Sequence, residues 1–555
     1  MPPAPELERL AGSVIVTGFP GASATSETLA ALRELGPGGV VLFDRNVSTL
    51  DGTRELVAAV REAIGGIAPA LVCVDQEGGR VARLRFREAG MPSMLGLGAA
   101  NDEALAERAG RALAADLRGI GANVDFAPVL DLALAPRGTV IGTRALGDDP
   151  RRVGELGAAL VRGLHACGVA ATAKHFPGHG GTALDSHREL PVVDVPADVL
   201  RARDVAPFAT AIAAGVRAVM TAHVLVPSLD AERPASLSPR ISTGLLRDEL
   251  GFTGVCFTDC LQMDAIARGP GTVRGGVAAL AAGADALLVS HDVTLALALR
   301  DALVAAVRAG DVPLARLEEA AGRVSALRAL LARDASLGVD DAATCDATAR
   351  DVAARAIALV HGHAVLERAH PVTVVSFEGD ASDGVARSAA ERPSLSLALR
   401  ERRFRSESMR VPLAPDADAF ALLLDVVRAQ GERSIVIVAR RAHLHPQQCH
   451  AIAALIELAP HAIVVSALEP FDVPLLEGGA ALLCTFGDER ANVDALAAVL
   501  AGDARATGGF PVHVARDGAR RTLSEAEIDA RLPRRDPAPV PAGDAPGDDA
   551  EAGGA

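Results

Sequence analysis

The sequence contains no tryptophan and no tyrosine, and aromatic residues of any kind make up only 3% of its 555 residues. A site that stacks a ligand on a large ring must therefore use phenylalanine, for example Phe43, Phe126 or Phe176. Long apolar runs are also missing, so no segment is predicted to cross a membrane as a helix. The N-terminus carries Glu6 and Glu8 but no basic stretch, which is not the pattern of a secretory signal.

Positive charge is in deficit, because the formal net charge at pH 7 is −15. This balance argues against nucleic acid and against anionic membranes as partners. The seven cysteines are scattered and odd in number, which predicts free thiols in a reducing cytoplasm. Neither Cys-x-x-Cys nor His-Glu-x-x-His occurs. The sequence therefore predicts neither a metal nor another cofactor.

Eight short apolar runs are present in the first 335 residues, and helical stretches such as 103–119 and 150–168 separate them. The runs are 13–17, 39–43, 70–74, 122–126, 169–173, 217–221, 254–257 and 286–289. Continuous apolar runs suit buried parallel strands, and eight strand–helix repeats are the count of a (β/α)8 barrel. A doubly wound sheet is the alternative, but it would not need eight repeats of this regularity.

The chain is long enough for more than one domain. We assign residues 1–335 to the barrel, 336–350 to a linker, 351–532 to a smaller α/β domain and 533–555 to a disordered tail rich in Pro, Ala, Gly and Asp. Strand candidates 372–377, 434–438, 462–466 and 481–485 alternate with helical stretches in the smaller domain. This alternation predicts a three-layer α/β sandwich.

One loop, KHFPGHGGTALDSH at 174–187, concentrates the ionisable side chains and follows the fifth apolar run. Asp185 and His187 share a face of an extended segment, where the carboxylate would orient the imidazole and raise its pKa. A metal pair is one alternative, since His175 and His179 are four residues apart. Pro177 stands between them and prevents a helix from presenting both. A purely structural polar loop is the other alternative.

Ionisable and polar residues also follow most of the other predicted strands, as expected where a barrel carries an active site. They begin the loops at 44–46, 75–81, 127–131, 141–144, 174–175, 223 and 258–259. Asp259, at the end of the seventh run, is a short carboxylate on a rigid element and could attack an electrophilic carbon. The alternative for Asp259 is an N-cap of the following helix.

The loop at 174–187 resembles the signature loop of glycoside hydrolase family 3, in the β-N-acetylhexosaminidase branch and its two-domain form. Further segments resemble the substrate-binding and nucleophile segments of that family, so that the resemblance covers residues 13–335. These segments are VDQEGGRVARL, ANVDFAPVLDL, IGTRALGDDP and GFTGVCFTDCLQMDAI. One departure is Cys260, where many relatives carry a second aspartate.

The resemblance implies a retaining mechanism in which Asp259 is the nucleophile, His187 is the acid/base and Asp185 is its partner. It also implies a set of contacts to the non-reducing sugar, namely Asp75, Arg83, Arg144, Lys174 and His175. The implied reaction is exo-hydrolysis of terminal N-acetylglucosamine from muropeptides or chitin fragments, with a small carbohydrate as the only partner. An N-acetylglucosaminide phosphorylase, a broader β-glycosidase and a non-catalytic sugar-binding protein are the alternatives. The oligomeric state is not predicted.

Overall fold

The computed structural model of the protein describes residues 2–136, 140–182, 190–379, 393–429, 431 and 433–514. Eight parallel strands form a barrel in the first part of the chain. The first strand pairs with both the second and the eighth, and a parallel bridge from Phe257 to Ala286 joins the seventh to the eighth. The predicted (β/α)8 barrel is confirmed, and each predicted run overlaps one barrel strand, although the fifth and seventh strands extend beyond the runs 169–173 and 254–257. The strands are Ile15–Thr17, Gly39–Leu42, Leu71–Val74, Val124–Asp125, Ala170–Phe176, Ala218–Thr221, Val255–Thr258 and Leu287–Val289.

Helices surround the barrel, and several begin at a side chain that accepts a hydrogen bond from the first turn. Asp102, for example, accepts from the backbone N–H of Leu105 at 3.1 Å, which satisfies a donor that the helix itself leaves unpaired. The helical segments are Ala4–Ser13, Ser26–Leu35, Leu50–Ile64, Met94–Ala100, Glu103–Gly119, Pro150–Ala166, Ala197–Leu200, Arg201–Val205, Ala206–Ala213, Arg240–Glu249, Asp264–Ala267, Thr272–Ala282, Val293–Ala309 and Leu314–Asp334.

Large apolar side chains fill the interior of the barrel below its carboxyl-terminal rim. The rings of Phe126 and Phe257 meet edge to face with centroids 5.4 Å apart. Val41, Met220 and Leu288 are buried with them in one cluster. A barrel packed in this way has no pore, so a ligand must bind above this floor, among the loops that follow the strands.

The structure differs from the predicted linker. Residues 342–350 belong to the helix Ala342–Ala356, which starts after the N-cap Asp341 and buries Cys345, Ala349 and Val352. This helix packs against Glu103–Gly119 of the barrel layer. The apolar spacing of its buried residues is helical, so the segment joins the two domains as a packed element rather than as a free connection.

The second domain is built on a six-stranded sheet in which five strands are parallel and one edge strand, Ala358–Gly362, is antiparallel. The parallel strands are Val372–Glu378, Ser406–Pro412, Ser434–Ala439, Ile463–Ser466 and Ala481–Cys484. Alternate residues of the central strands are buried in two separate apolar clusters, one on each face. The helices are Leu395–Glu401, Ala417–Arg428, Pro446–Leu458 and Arg490–Leu500. The three-layer sandwich is therefore confirmed.

The predicted tail at 533–555 lies outside the described residues, as do the last residues assigned to the sandwich, 515–532. Within the described part of the chain, no helix is both long enough and apolar enough to span a lipid bilayer. None of the seven cysteines, all of which lie in described segments, forms a disulfide.

Candidate active site

A cavity of about 270 Å³ opens at the carboxyl-terminal rim of the barrel. Phe126, Met220 and Leu288 form part of its floor, and the ionisable side chains lie above them. The structure brings together six of the eight site residues named from the sequence, which line this cavity: Asp75, Arg83, Arg144, Lys174, His175 and Asp259. The other two, Asp185 and His187, lie outside the described residues.

Lys174 is held between two carboxylates at the end of the fifth barrel strand. Its Nζ lies 2.7 Å from Asp75 Oδ1 and 2.6 Å from Glu77 Oε1. The side chain is only 2% exposed. Burial alone would lower the pKa of Lys174, but the two carboxylates outweigh it and the pKa is raised. The lysine is therefore a fixed cation at neutral pH.

Arg144 is the second cation that binds Glu77. Its Nε and Nη2 lie 2.8 Å from Glu77 Oε2 and Oε1, which is the bidentate pairing of a guanidinium with a carboxylate. Burial would raise the pKa of Glu77, but Arg144 and Lys174 outweigh it and the pKa is lowered. Glu77 thus connects two cations of the cavity. The sequence places Glu77 in the VDQEGGRVARL motif and in the loop at 75–81, but it does not show which carboxylate the two cations share.

Asp131 is a second carboxylate whose role depends on contacts that the sequence does not show. It is 1% exposed, and its Oδ2 lies 2.6 Å from His175 Nδ1. Its Oδ1 accepts a hydrogen bond from the backbone N–H of His179 at 2.6 Å. Burial would raise the pKa of Asp131, but His175 outweighs it and the pKa is lowered. One ionised carboxylate therefore fixes both the His175 ring and the start of the following turn. Its position just after the fourth strand was the available signal.

His175 and His179 both line the cavity. Their ring centroids are 6.1 Å apart in an edge-to-face contact, and His179 Nδ1 lies 2.7 Å from the Thr182 hydroxyl. Burial lowers the pKa of His179, so its imidazole is neutral near pH 7. No group of three His, Cys, Asp or Glu side chains is placed to hold a metal ion in the segments that the structure covers.

Asp259 follows the seventh barrel strand directly. Its backbone N–H donates to the Thr221 carbonyl at 3.0 Å, and its Oδ1 accepts from the Cys260 N–H at 2.7 Å. The next helix starts only at Asp264 and has Met263 as its N-cap, so Asp259 does not cap it. The carboxylate is instead a half-buried group on the cavity wall.

An aromatic ring, that of Phe43, lies at the rim of the cavity in a chain that has no tryptophan or tyrosine. The Phe43 ring lies 5.5 Å from the ring of His291 at an angle of 32°. The guanidinium carbons of Arg45 and Arg83 lie 4.7 and 5.6 Å from the Phe43 centroid. Arg83 also pairs with the exposed Asp44 at 2.7 Å. The Phe43 ring is therefore packed against two guanidinium groups and an imidazole, which fixes these cations at the edge of the cavity.

The comparisons with known proteins cover both domains. A sequence model described as "Glycosyl hydrolase family 3 N terminal domain" matches residues 11–327. A protein named Beta-hexosaminidase from Stenotrophomonas maltophilia (strain K279a) is 42% identical over 284 residues, which are 50% of this chain and 83% of that protein. A Beta-hexosaminidase from Pseudomonas aeruginosa (strain LESB58) is 41% identical over 302 residues, 54% of this chain and 88% of that one.

Solved structures extend the similarity to the second domain. The chain superposes on a glycoside hydrolase family 3 beta-N-acetylglucosaminidase from Paenibacillus sp. str. FPU-7 with a TM-score of 0.86 and 34% identity, covering 92% of this chain and 99% of that one. A beta-N-acetylhexosaminidase from Beutenbergia cavernae is 31% identical with a TM-score of 0.54. The superposition covers 58% of this chain and 98% of that chain. A beta-glucoside phosphorylase with a TM-score of 0.72 is 20% identical, so that likeness concerns the fold alone.

Proposed function

The chain belongs to glycosyl hydrolase family 3, and from this premise we propose that it is an exo-acting, retaining β-N-acetylglucosaminidase. The observation that carries the proposal is the cavity itself, where Asp259 faces a network of fixed charges built by Lys174, Glu77 and Arg144. The relatives named Beta-hexosaminidase support the N-acetylated substrate class.

In the proposed first step, a carboxylate oxygen of Asp259 attacks the anomeric carbon of the bound sugar. The bond from that carbon to the leaving oxygen breaks, and a covalent glycosyl-enzyme forms. In the second step water attacks the same carbon and releases the Asp259 carboxylate. Two inversions give net retention. The fixed backbone of Asp259 suits this role, because a nucleophile on a rigid strand end needs little reorganisation to reach the substrate.

The leaving oxygen needs a proton, and we assign that role to His187 with Asp185 as its partner. The assignment rests on the resemblance of the loop, since both residues lie outside the described segments. The ionisable groups that the structure does describe nearby support it indirectly. Glu77 and His179 both have a lowered pKa, so neither is an acid poised to protonate a leaving group near pH 7.

The sugar itself is proposed to bind through the charged network. Asp75 and Lys174 would hold hydroxyl groups, and Arg144 and His175 would do so from the neighbouring wall. Arg83 lies at the rim beside Phe43, where it would contact the outer edge of the substrate. The muropeptide or chitin origin of the substrate and a cytoplasmic location are parts of the same proposal; the absence of disulfides among the seven cysteines is consistent with the latter.

The experiment is the release of chromophore from an aryl N-acetyl-β-glucosaminide, compared with the aryl β-glucoside, by wild type and by Asp259→Ala. We expect wild type to prefer the N-acetylated substrate, and the variant to lose at least about 100-fold in kcat with an unchanged circular dichroism spectrum. Equal rates on the two substrates would favour the broader β-glycosidase. A rate that depends on added phosphate would favour the phosphorylase. No turnover of either substrate by wild type would contradict the proposed function.

A further inference from the structure

The turn that carries Arg144 lies at the interface between the two domains. Arg144 ends the short helical turn Gly142–Arg144. The residues that flank this turn, Ile141 and Ala145, are buried in the same apolar cluster as Val473 and Phe486 of the second domain. The turn is therefore packed from the barrel on one side and from the sandwich on the other.

A carboxylate of the second domain, that of Glu469, lies directly against this turn. Glu469 follows the strand Ile463–Ser466 and is 4% exposed. Gly142 has a φ of +46°, and a Cβ atom at this position would lie 2.4 Å from Glu469 Oε1. The carboxylate thus occupies the space that any side chain at position 142 would need. The turn cannot move toward the second domain unless this buried group moves first.

The carboxylate is fixed by cations from both domains. Arg441 Nε lies 3.2 Å from Glu469 Oε2. Burial would raise the pKa of Glu469, but Arg441, Arg80 of the barrel and His443 outweigh it and the pKa is lowered. His443 is itself held, because its Nδ1 lies 2.6 Å from Asp472 Oδ1. Glu469 is therefore ionised, and its ion pair with Arg441 restricts the rotation of its side chain.

From these contacts a continuous path leads to the cavity. Gly142 touches Glu469 and begins the turn that ends at Arg144. Arg144 grips Glu77 with two hydrogen bonds, and Glu77 holds Lys174. A displacement of the turn would be transmitted to both cations, because the hydrogen bonds of Glu77 to Arg144 and Lys174 are short and Glu77 is buried.

We propose that Glu469 is a positioning residue, through which the second domain sets the geometry of the sugar-binding cations Arg144 and Lys174. The inference rests on the proposed function only in assuming that these cations contact the substrate. It assigns a role to the second domain, which carries none of the residues proposed to bind or attack the sugar.

The test is steady-state kinetics of Glu469→Gln on the aryl N-acetyl-β-glucosaminide, with Glu407→Gln as the matched control. Glu407 is another paired carboxylate of the second domain, 2.8 Å from Arg433, on a strand at the far edge of the sheet. We expect Glu469→Gln to raise KM about tenfold with kcat within about twofold, because a misplaced binding group weakens ground-state and transition-state binding alike. The control should match wild type in both parameters.

A double-mutant cycle with Arg144→Lys separates positioning from general stability. If Glu469 acts through Arg144, the double variant should lose little more than Arg144→Lys alone. Multiplied losses would overturn the proposal, as would wild-type kinetics for Glu469→Gln. If Glu469→Gln fails to fold, Glu469→Asp keeps the charge but withdraws it from Gly142, and it should show the same rise in KM; wild-type kinetics for that variant would equally overturn the proposal. Absence of wild-type turnover would instead contradict the proposed function.

Discussion

Lys174 is a buried side chain whose positive charge is stabilised by carboxylates rather than by water. The lysine is almost completely buried, yet it remains a cation because Asp75 and Glu77 each lie within 2.7 Å of its Nζ. Such a group contributes to binding and to stability at once. Removing one member of a buried charge network leaves the remaining charges buried without a partner, and this lowers the free energy of unfolding.

The first prediction follows for Lys174→Met. We expect kcat/KM to fall at least about tenfold, and the free energy of unfolding to fall by about 3 kcal/mol, because the buried Glu77 and the partly buried Asp75 lose the cation that they share. Enzyme assays and urea unfolding measure the two effects. Arg83→Gln is the control, since its partner Asp44 is exposed to solvent and the variant should lower kcat/KM without a comparable loss of stability. Unchanged kinetics in Lys174→Met would mark the lysine as purely structural.

The second prediction concerns the proton donor. In His187→Ala, a dinitrophenyl glycoside should still form the glycosyl-enzyme at close to the wild-type rate, because its leaving group needs no proton. A substrate with a sugar leaving group should lose at least about 100-fold. Asp185→Asn should show the same bias more weakly. Single-turnover rates with both substrates test this, and equal slowing of both would remove His187 from the role of acid.

For individual residues, the sequence predicted which side chains line the cavity but not which of them form pairs. Asp75, Lys174 and Asp259 could be found because polar residues after barrel strands meet at one rim. Glu77 and Asp131 could not be separated from other loop carboxylates, since their importance depends on distances to Arg144 and His175 across the barrel.

Among the elements, the buried strands were the easiest to predict and the edges of the second sheet the hardest. The eight barrel strands are covered on both faces and read as apolar runs. Ser406–Pro412 and Ala358–Gly362, the edge strands of the second sheet, were not predicted. Ser406–Pro412 is exposed at most of its positions and carries two charged residues, so its pattern resembles that of a loop. The helix Ala342–Ala356 falls mostly within the predicted linker; the helical spacing of its buried residues was a signal in the sequence, but the surfaces that it covers were not.

The helix Pro150–Ala166 provides the third prediction. His165 lies in its last turn, where burial and then Arg217 lower its pKa to about 3. Its unfolded pKa is about 6.5, so the neutral ring contributes stability that is complete above that pH and is lost as the pH falls. Between pH 7.5 and pH 5 this loss is about 2 kcal/mol. Urea unfolding measures the free energy of unfolding at the two pH values. Between them it should fall by about 2 kcal/mol less in His165→Gln than in wild type. Equal losses in both proteins would contradict the assignment.

For the molecule as a whole, the two domains share one buried apolar cluster at their interface. Leu95 and Ala99 of the barrel are buried with Phe486 and Val512. The last described segment returns to the barrel, where the Asp148 N–H donates to the Pro511 carbonyl at 3.0 Å. Sequence patterns predict each domain separately, but they do not show which surfaces join. The contact of Glu469 with Gly142 could therefore only be found in the folded molecule.

The central claim is that Asp259 forms a covalent bond to the sugar, and peptide mass spectrometry tests it most directly. A 5-fluoro N-acetylglucosaminyl fluoride should glycosylate the enzyme and then hydrolyse slowly, because fluorine at carbon 5 destabilises an oxocarbenium-like transition state while fluoride leaves without a proton. The account predicts one added 5-fluoro-N-acetylglucosaminyl unit on Asp259, and none in Asp259→Ala. Turnover of this compound with no protein adduct, as expected if the substrate's own acetamide were the nucleophile, or an adduct on another residue, would contradict the account.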